Sequence, residues 1–328
     1  MSIETLPASW YHDDAIFDRE RRLLFAREWQ CLGVVPTTSM KGDVAGWPIV
    51  VVRDGVTVRA FHDVCRHRAS PLDCTSAGFV CPYHGWTYGL DGALKRARDF
   101  GDDVPDGFDL VPVRAEVWRN LVFVNVSGDA ATLVESLGAD FVAELDDFDI
   151  ESFEVVEEAH HVLRCNWKTY ADNYGEGYHI PVLHPTLHQE IRTSEYRVDV
   201  HDRWTKHSAP TRDGAPTAGR WLWRFPNLAL NVYADGMNLE RFTPVDARTV
   251  RIDYCFLFRP GCVDEASMKM SNDLLVEDAT MCEAVQRNLE AGIYDVGVLS
   301  PKHEHGVALL HRLVREALDY SAMRSDPA

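Results

Sequence analysis

Cys65-Arg66-His67 and Cys81-Pro82-Tyr83-His84-Gly85-Trp86 are separated by 13 residues, and each short segment offers one thiol and one imidazole. Four such ligands define a single site. Two Cys with two His suit a tetrahedral zinc, or a two-iron cluster in which imidazoles replace thiolates on one iron. Zinc fingers favour a Cys pair followed by a His pair. Here every loop carries one of each, so thiolates can hold one iron and imidazoles the other.

A second group lies in Asn166–Pro185, NWKTYADNYGEGYHIPVLHP, with Asp172, Glu176, His179 and His184. Glu176 and His179 are three apart and would share a helical face. His179 and His184 are five apart, about 140° out of alignment on an ideal helix, so a break is expected, and Pro181 is the residue expected to make it. Two histidines and a carboxylate on one side of Fe(II) leave positions open for O2 and substrate. The carboxylate is sought in 272–290, whose apolar stripe Leu274, Met281, Cys282, Val285, Leu289 is centred where Asp278 falls, with Glu277 about 100° away. Asp278 is therefore expected to face inward as the third ligand.

The C-x-H and C-P-x-H-G-W loops resemble those of Rieske [2Fe-2S] domains. Ser70 and Tyr83 stand where respiratory members carry an extra cysteine pair, so the likeness is to oxygenases and their ferredoxins; Cys74 reads as an ordinary thiol. Together with ASWYHDDAIFDRE, the NWK…HP segment and VEDATMCEAVQRNL, the whole chain resembles the catalytic α subunit of a Rieske non-haem iron oxygenase. In detail it is similar to the branch acting on choline, glycine betaine, carnitine or proline betaine. The resemblance implies a Rieske domain followed by a helix-grip catalytic domain, in a head-to-tail homotrimer. Cys65, His67, Cys81 and His84 would bind the [2Fe-2S] cluster, and His179, His184 and Asp278 a mononuclear Fe(II). Glu176 would be the carboxylate bridging the cluster of one subunit to the iron of the next. Asp172 departs from the asparagine common at its position. O2 is the implied co-substrate, and monooxygenation or N-demethylation of a quaternary or tertiary amine the implied reaction. Arene dihydroxylation and a non-catalytic electron carrier are the alternatives. With no G-x-G-x-x-G fingerprint in the chain, electrons would come from a separate NAD(P)H-dependent flavin/iron-sulfur reductase.

For the substrate wall, the ring-rich run Arg220–Tyr233 offers Trp223, Asn231 and Tyr233, to which Tyr174 is added. Rings can cage an ammonium group by cation–π attraction; core packing is their other use. His303, His305 and His311 read as surface or interface residues.

These residues need a scaffold. Residues 13–30 place apolar side chains at near-helical spacing, giving an N-terminal helical arm (1–30) expected to pack on the catalytic domain. Short β-type runs separated by turn residues fill 31–128, a small all-β domain. Beyond 129, helical stretches (131–145, 166–179, 265–290, 302–320) alternate with strand-like ones, so 129–328 is expected to be an α+β domain on an antiparallel sheet. With 33 Lys and Arg against 51 Asp and Glu, the net charge of −18 opposes binding to nucleic acid or to an anionic membrane surface. No run approaches the roughly 20 apolar residues of a membrane helix, and eight cysteines in 328 residues are not a disulfide framework. A cytoplasmic enzyme of small molecules is expected.

Overall fold

The computed structural model describes residues 3–100, 106–213 and 219–318. Two compact units are present, one of Phe25–Ser136 and the other of Met1–Leu24 with Leu137–Ala328.

In the smaller unit the β-branched runs form a six-stranded antiparallel sheet. Its order is Gln30–Val34, Leu121–Asn125, Pro112–Trp118, Thr57–His62, Trp47–Asp54, Ser39–Val44. Four three-residue strands, Asp73–Thr75, Gly78–Val80, Thr87–Gly89 and Leu94–Arg96, make a second sheet. The first cysteine loop runs from Thr57–His62 of the larger sheet to Asp73–Thr75, the second joins Gly78–Val80 to Thr87–Gly89, and Cys65 and Cys81 are buried in a core with Val50, Phe61, Leu72, Phe79, Trp86 and Tyr88. The unit extends past residue 128 because Glu116 Oε2 accepts from Leu133 N (2.9 Å) and Arg114 bonds the Ala130 carbonyl.

The larger unit is built on a seven-stranded antiparallel sheet: Glu154–Leu163, Thr249–Phe258, Gly236–Asp246, Leu228–Val232, Arg220–Arg224, Trp204–Ser208, Arg197–Val200. Three helices matter for the site: Trp167–Tyr174, the long Glu265–Glu290 and His305–Ala317; residues 319–320 of the expected last helix lie outside the described residues. The short helix packs against the other two and against the strand Gly236–Asp246. Asn166 starts it by accepting from Lys168 N (2.9 Å), and Asp264 starts the long helix by accepting from Ala266 N and Ser267 N. Asn166 N also donates to Gln286 Oε1 (3.0 Å), and Asn166 Nδ2 donates to the Ala247 carbonyl (2.7 Å), which pins both helices and a sheet turn together.

The expected 13–30 helix is shorter. An α-helix covers Asp14–Glu20, capped by Asp13, and continues as a π-helical turn Arg21–Phe25 before the strand starting at Gln30. Its last residue anchors it: Glu20, fully buried, accepts from Lys168 Nζ (2.6 Å) and from Trp167 Nε1 (2.8 Å). Neither charge reaches water, so each is tolerated only because the other is present. Burial pulls the Lys168 ammonium below its ordinary pKa, opposed by Glu20. Glu20→Gln, which strands the Lys168 charge, should cost about 3–5 kcal/mol, seen as a lower denaturation midpoint of this unit. Glu20→Gln combined with Lys168→Met should recover part of that loss.

Candidate metal centres and substrate cavity

The two cysteine loops are built alike. In the first, Ala69 N donates to the Cys65 carbonyl (2.9 Å) and Cys65 N to Ser70 O (2.8 Å); in the second, Gly85 N donates to the Cys81 carbonyl (2.9 Å) and Cys81 N to Trp86 O (2.8 Å). Gly85 needs its positive φ of 73° to close the second loop. Burial opposes ionisation of Cys81, but the backbone N–H groups of His84 and Tyr83, helped by Cys65 and Ser70, outweigh it and hold the thiol below its usual pKa. The His67 and His84 rings meet edge to face with centroids 4.6 Å apart, and His67 stacks on Trp86 at 5.0 Å. Both Nδ1 atoms are buried without a hydrogen-bond partner. Two buried thiols, of which Cys81 favours ionisation, and two orphaned imidazole nitrogens fit a cluster with thiolates on one iron and imidazoles on the other.

In the larger unit the helix Trp167–Tyr174 ends at Gly175, and Glu176 is not on a helical face with His179. Its carboxylate turns back instead, accepting from Tyr178 N and from His179 N (3.2 Å). Pro181 does not break a helix; it occupies the first turn of Ile180–Leu183, where a missing N–H costs nothing. The break comes at His184, whose ψ of 73° is non-helical because Pro185 follows. That break returns His184 towards His179.

His179 Nε2 and His184 Nε2 are 3.2 Å apart, and Asp278 Oδ1 is 3.0 Å from His184 Nε2 and 3.8 Å from His179 Nε2. All three ligand-type atoms lie within 4.8 Å of one another. Asp278 Oδ1 is buried and makes no well-directed hydrogen bond, despite that 3.0 Å approach. The outer nitrogens are fixed: His179 Nδ1 donates to Glu176 Oε1 (2.5 Å) and His184 Nδ1 to Glu277 Oε2 (2.7 Å). With Nδ1 carrying the proton, each Nε2 presents a lone pair to the common point, and the donor set fits Fe(II). Burial disfavours a charged His184, but Asp278 and Glu277 outweigh it and raise its pKa; a point that attracts a proton also attracts a divalent cation.

Glu277 was expected to point away from the site. Its side chain is 36% exposed at the stem, and the carboxylate still reaches across to His184. The buried line of the long helix is Met268, Leu275, Cys282, Gln286, Leu289, rotated from the expected stripe, while Met281 and Val285 are exposed. Asp278 faces the centre and Glu277 its edge. His311 is also misread from sequence: it is 1% exposed and joins Tyr11 and Asp172, with Tyr11 Oη donating to Asp172 Oδ2 (2.7 Å) and His311 Nε2 lying 2.9 Å from Asp172 Oδ1. His303 stacks on Tyr178, and His305 is exposed.

A cavity of about 220 Å³ opens on the triad, small beside the 300–1,000 Å³ of typical ligand pockets. Tyr174, Asn231 and Tyr233 line it, as expected; Tyr174 Oη donates to Asn231 Oδ1 (2.9 Å). Trp223 does not. It shares a sheet face with Trp221, but it pairs with Ala229 one rung deeper and is 1% exposed, so Trp221 takes the wall position and donates to Tyr233 Oη (2.7 Å). Sequence reasoning missed Glu240, Asn238, Tyr196 and His207. Glu240, 2% exposed, accepts from Tyr170 Oη (2.6 Å), and burial pushes its pKa up to about 8. Burial alone drives His207 down to about 3, leaving it neutral. The available signal was Asn238 and Glu240 on one face of the strand GMNLERF, between Gly236 and Phe242.

Glu277→Gln weakens the hold on the His184 tautomer and should lower Fe(II) affinity about 10–100-fold, with the visible spectrum of the cluster unchanged. Asp278→Ala should reduce iron from about three to about two per chain with both sulfides retained, whereas Cys81→Ser should remove the sulfides.

Known proteins share both centres. Residues 29–107 match the Rieske [2Fe-2S] domain, and residues 150–320 match the catalytic domain of ring-hydroxylating α subunits. The chain is 29% identical to chloroplastic choline monooxygenase of Spinacia oleracea over 96% of its own length and 78% of the relative's. It is likewise 29% identical to the carnitine monooxygenase oxygenase subunit of Escherichia coli K12, over 95% and 93%. The crystal structure of the quaternary ammonium Rieske monooxygenase CntA with L-carnitine superposes with a TM-score of 0.86 at 26% identity, covering 96% of each chain. A Rieske domain and an iron-type catalytic domain in one chain, each matched along its length, make this protein a member of the Rieske non-haem iron oxygenase α subunits, and an oxidoreductase.

Proposed function

We propose that the protein hydroxylates a small quaternary or tertiary amine, using O2 and electrons from a separate NAD(P)H-dependent flavin/iron-sulfur reductase. The observation that carries this reading is a ring-lined cavity containing a buried carboxylate, Glu240, directly on the His179–His184–Asp278 centre. Burial keeps Glu240 largely protonated near neutral pH in the empty cavity; an arriving ammonium group favours the ionised carboxylate and pairs with it as well as with the ring faces, whereas a neutral arene gains only the ring contacts.

In this reading Cys65, His67, Cys81 and His84 hold the [2Fe-2S] cluster and His179, His184 and Asp278 the Fe(II). When bound, these groups supply single-electron transfer and O2 activation. The chain's own residues do the rest. Glu176 and Glu277 hold protons on the outer nitrogens of His179 and His184. Tyr174, Trp221, Tyr233 and Phe256 exclude water and orient the cation with a C–H bond towards the open side of the triad. Oxygen inserted into an N-methyl C–H bond gives a carbinolamine that releases formaldehyde; oxygen inserted elsewhere leaves the head group intact.

Glu176 also borders a second, wider cleft of about 600 Å³, which His179 does not line. That supports the bridging role, in which the carboxylate links the His179 ring to the cluster of a neighbouring copy in a head-to-tail homotrimer. CntA is described as using inter-subunit electron transfer. The cytoplasmic setting belongs to the same proposal.

The test is O2 uptake by iron-loaded protein with a generic reductase, screening quaternary amines against aromatic acids, with formaldehyde assayed. Stimulation by amines, with one atom from ¹⁸O2 in product, is expected; stimulation by aromatic acids with two atoms incorporated would replace this reading with ring dihydroxylation. Glu176→Gln should keep the cluster spectrum and lower Fe(II) affinity much as Glu277→Gln does, and turnover should still fall steeply when the iron site is saturated.

A further inference from the structure

The cavity wall is chemically lopsided. Among the described residues that line it, the carboxyl groups are Glu176, Glu240 and Asp278 and the imidazoles His179, His184 and His207; no lysine or arginine is present. The imidazoles supply no spare cation, because His179 and His184 are committed to the triad and burial keeps His207 neutral. A divalent ion in the triad would offset Asp278, but the far wall would still face the substrate with Glu240, ring faces and neutral polar groups, and with no fixed cation.

That wall is organised along one strand. Glu240 and Asn238 lie two residues apart on the same face of Gly236–Asp246, about 7 Å along the strand. Glu240 pairs across the sheet with Ala229 and Tyr254, and Asn238 with Asn231 and Phe256. Glu240 is tied to Tyr170, while Asn238, 5% exposed, has its Oδ1 buried with no hydrogen-bond partner. A buried acceptor without a donor calls for a ligand that brings one.

We propose that this cavity selects a small ammonium ion whose other substituent is uncharged and carries a hydroxyl, with Glu240 as counter-charge to the head and Asn238 Oδ1 as acceptor for the hydroxyl, and that it rejects ammonium ions bearing a carboxylate. This rests on the amine reading above and narrows it. Rejection is by desolvation: a substrate carboxylate would leave water for a site with no fixed cation to receive it, and it would oppose the ionisation of Glu240 that the ammonium head favours. The relatives' names include both kinds of substrate, choline and carnitine, so family membership leaves the choice open.

The test is calorimetric titration of reduced, anaerobic, iron-loaded protein with four ligands sharing one head: choline, L-carnitine, γ-butyrobetaine and tetramethylammonium. Choline should bind at least tenfold tighter than either acid. Glu240→Gln should weaken choline at least tenfold and shrink its advantage over γ-butyrobetaine, whereas Glu240→Asp, which keeps the charge, should preserve the preference. Asn238→Leu should weaken choline several-fold more than tetramethylammonium. Iron and cluster absorbance in each variant report on folding, and the wild-type panel needs no variant at all. Acids binding as tightly as choline, or a preference unmoved by Glu240→Gln, would overturn the proposal while leaving the amine reading intact. An acid that simply ligates the iron is recognised because its affinity ignores Glu240. If no cation binds and aromatic acids do, the amine reading fails first.

Discussion

The geometry of the catalytic centre depends on two hydrogen bonds that point away from it. An imidazole can present either nitrogen, and in His179 and His184 the choice is made by Glu176 and Glu277, each holding Nδ1 from behind. With those protons fixed, both Nε2 lone pairs and the Asp278 carboxylate converge on one point, from the two ends of Ile180–Leu183 and from the long helix. Remove either outer carboxylate and the ring can turn or change tautomer. The inner contacts then lose their common focus.

Those segments are aligned by buried polar ties. Asn166 links the start of the Trp167–Tyr174 helix to Gln286 on the long helix and to the Ala247 turn of the sheet. Glu20 and Lys168 tie the N-terminal helix to the same short helix, and Tyr11, Asp172 and His311 tie its far end to the last helix. A hydrophobic core tolerates small slippage of one helix over another, because dispersion is non-directional. Buried hydrogen bonds do not, since a lost partner leaves an unsatisfied group in low dielectric. The register between Asp278 and the two histidines is therefore set by polar contacts outside the site.

The cavity follows the same logic from the opposite side. Its wall combines ring faces with Glu240 and an unpaired Asn238 oxygen, groups that a core would not retain without a use. Iron chemistry alone does not need them. They are what the proposed small cation with a polar tail would engage, and the fold does not supply them, since naphthalene 1,2-dioxygenase at 18% identity shares that fold.

Much of this protein was legible in its residues before any fold was known. The two Cys/His loops declare their chemistry because ligand spacing within a loop is local, and the α+β division follows from hydrophobic periodicity, also local. Asp278 could be drawn inward by counting around one helix. What that count could not deliver was Glu277, because a helical wheel assigns a direction to Cα–Cβ while a long side chain reaches sideways to whatever packs beside it. Trp223 and Trp221 alternate identically in sequence, and only the register of neighbouring strands decides which ring is covered and which lines the cavity. Glu240 and Asn238 left only the faint signal of polar residues alternating in a strand, because their meaning lies in burial beside a centre built from segments tens of residues away. Sequence by itself determined the metal chemistry and the class of enzyme, because these rest on residue type and short spacing. The tertiary structure alone decided tautomers, walls and charge balance, because those are set by contacts between segments that the chain brings together only on folding.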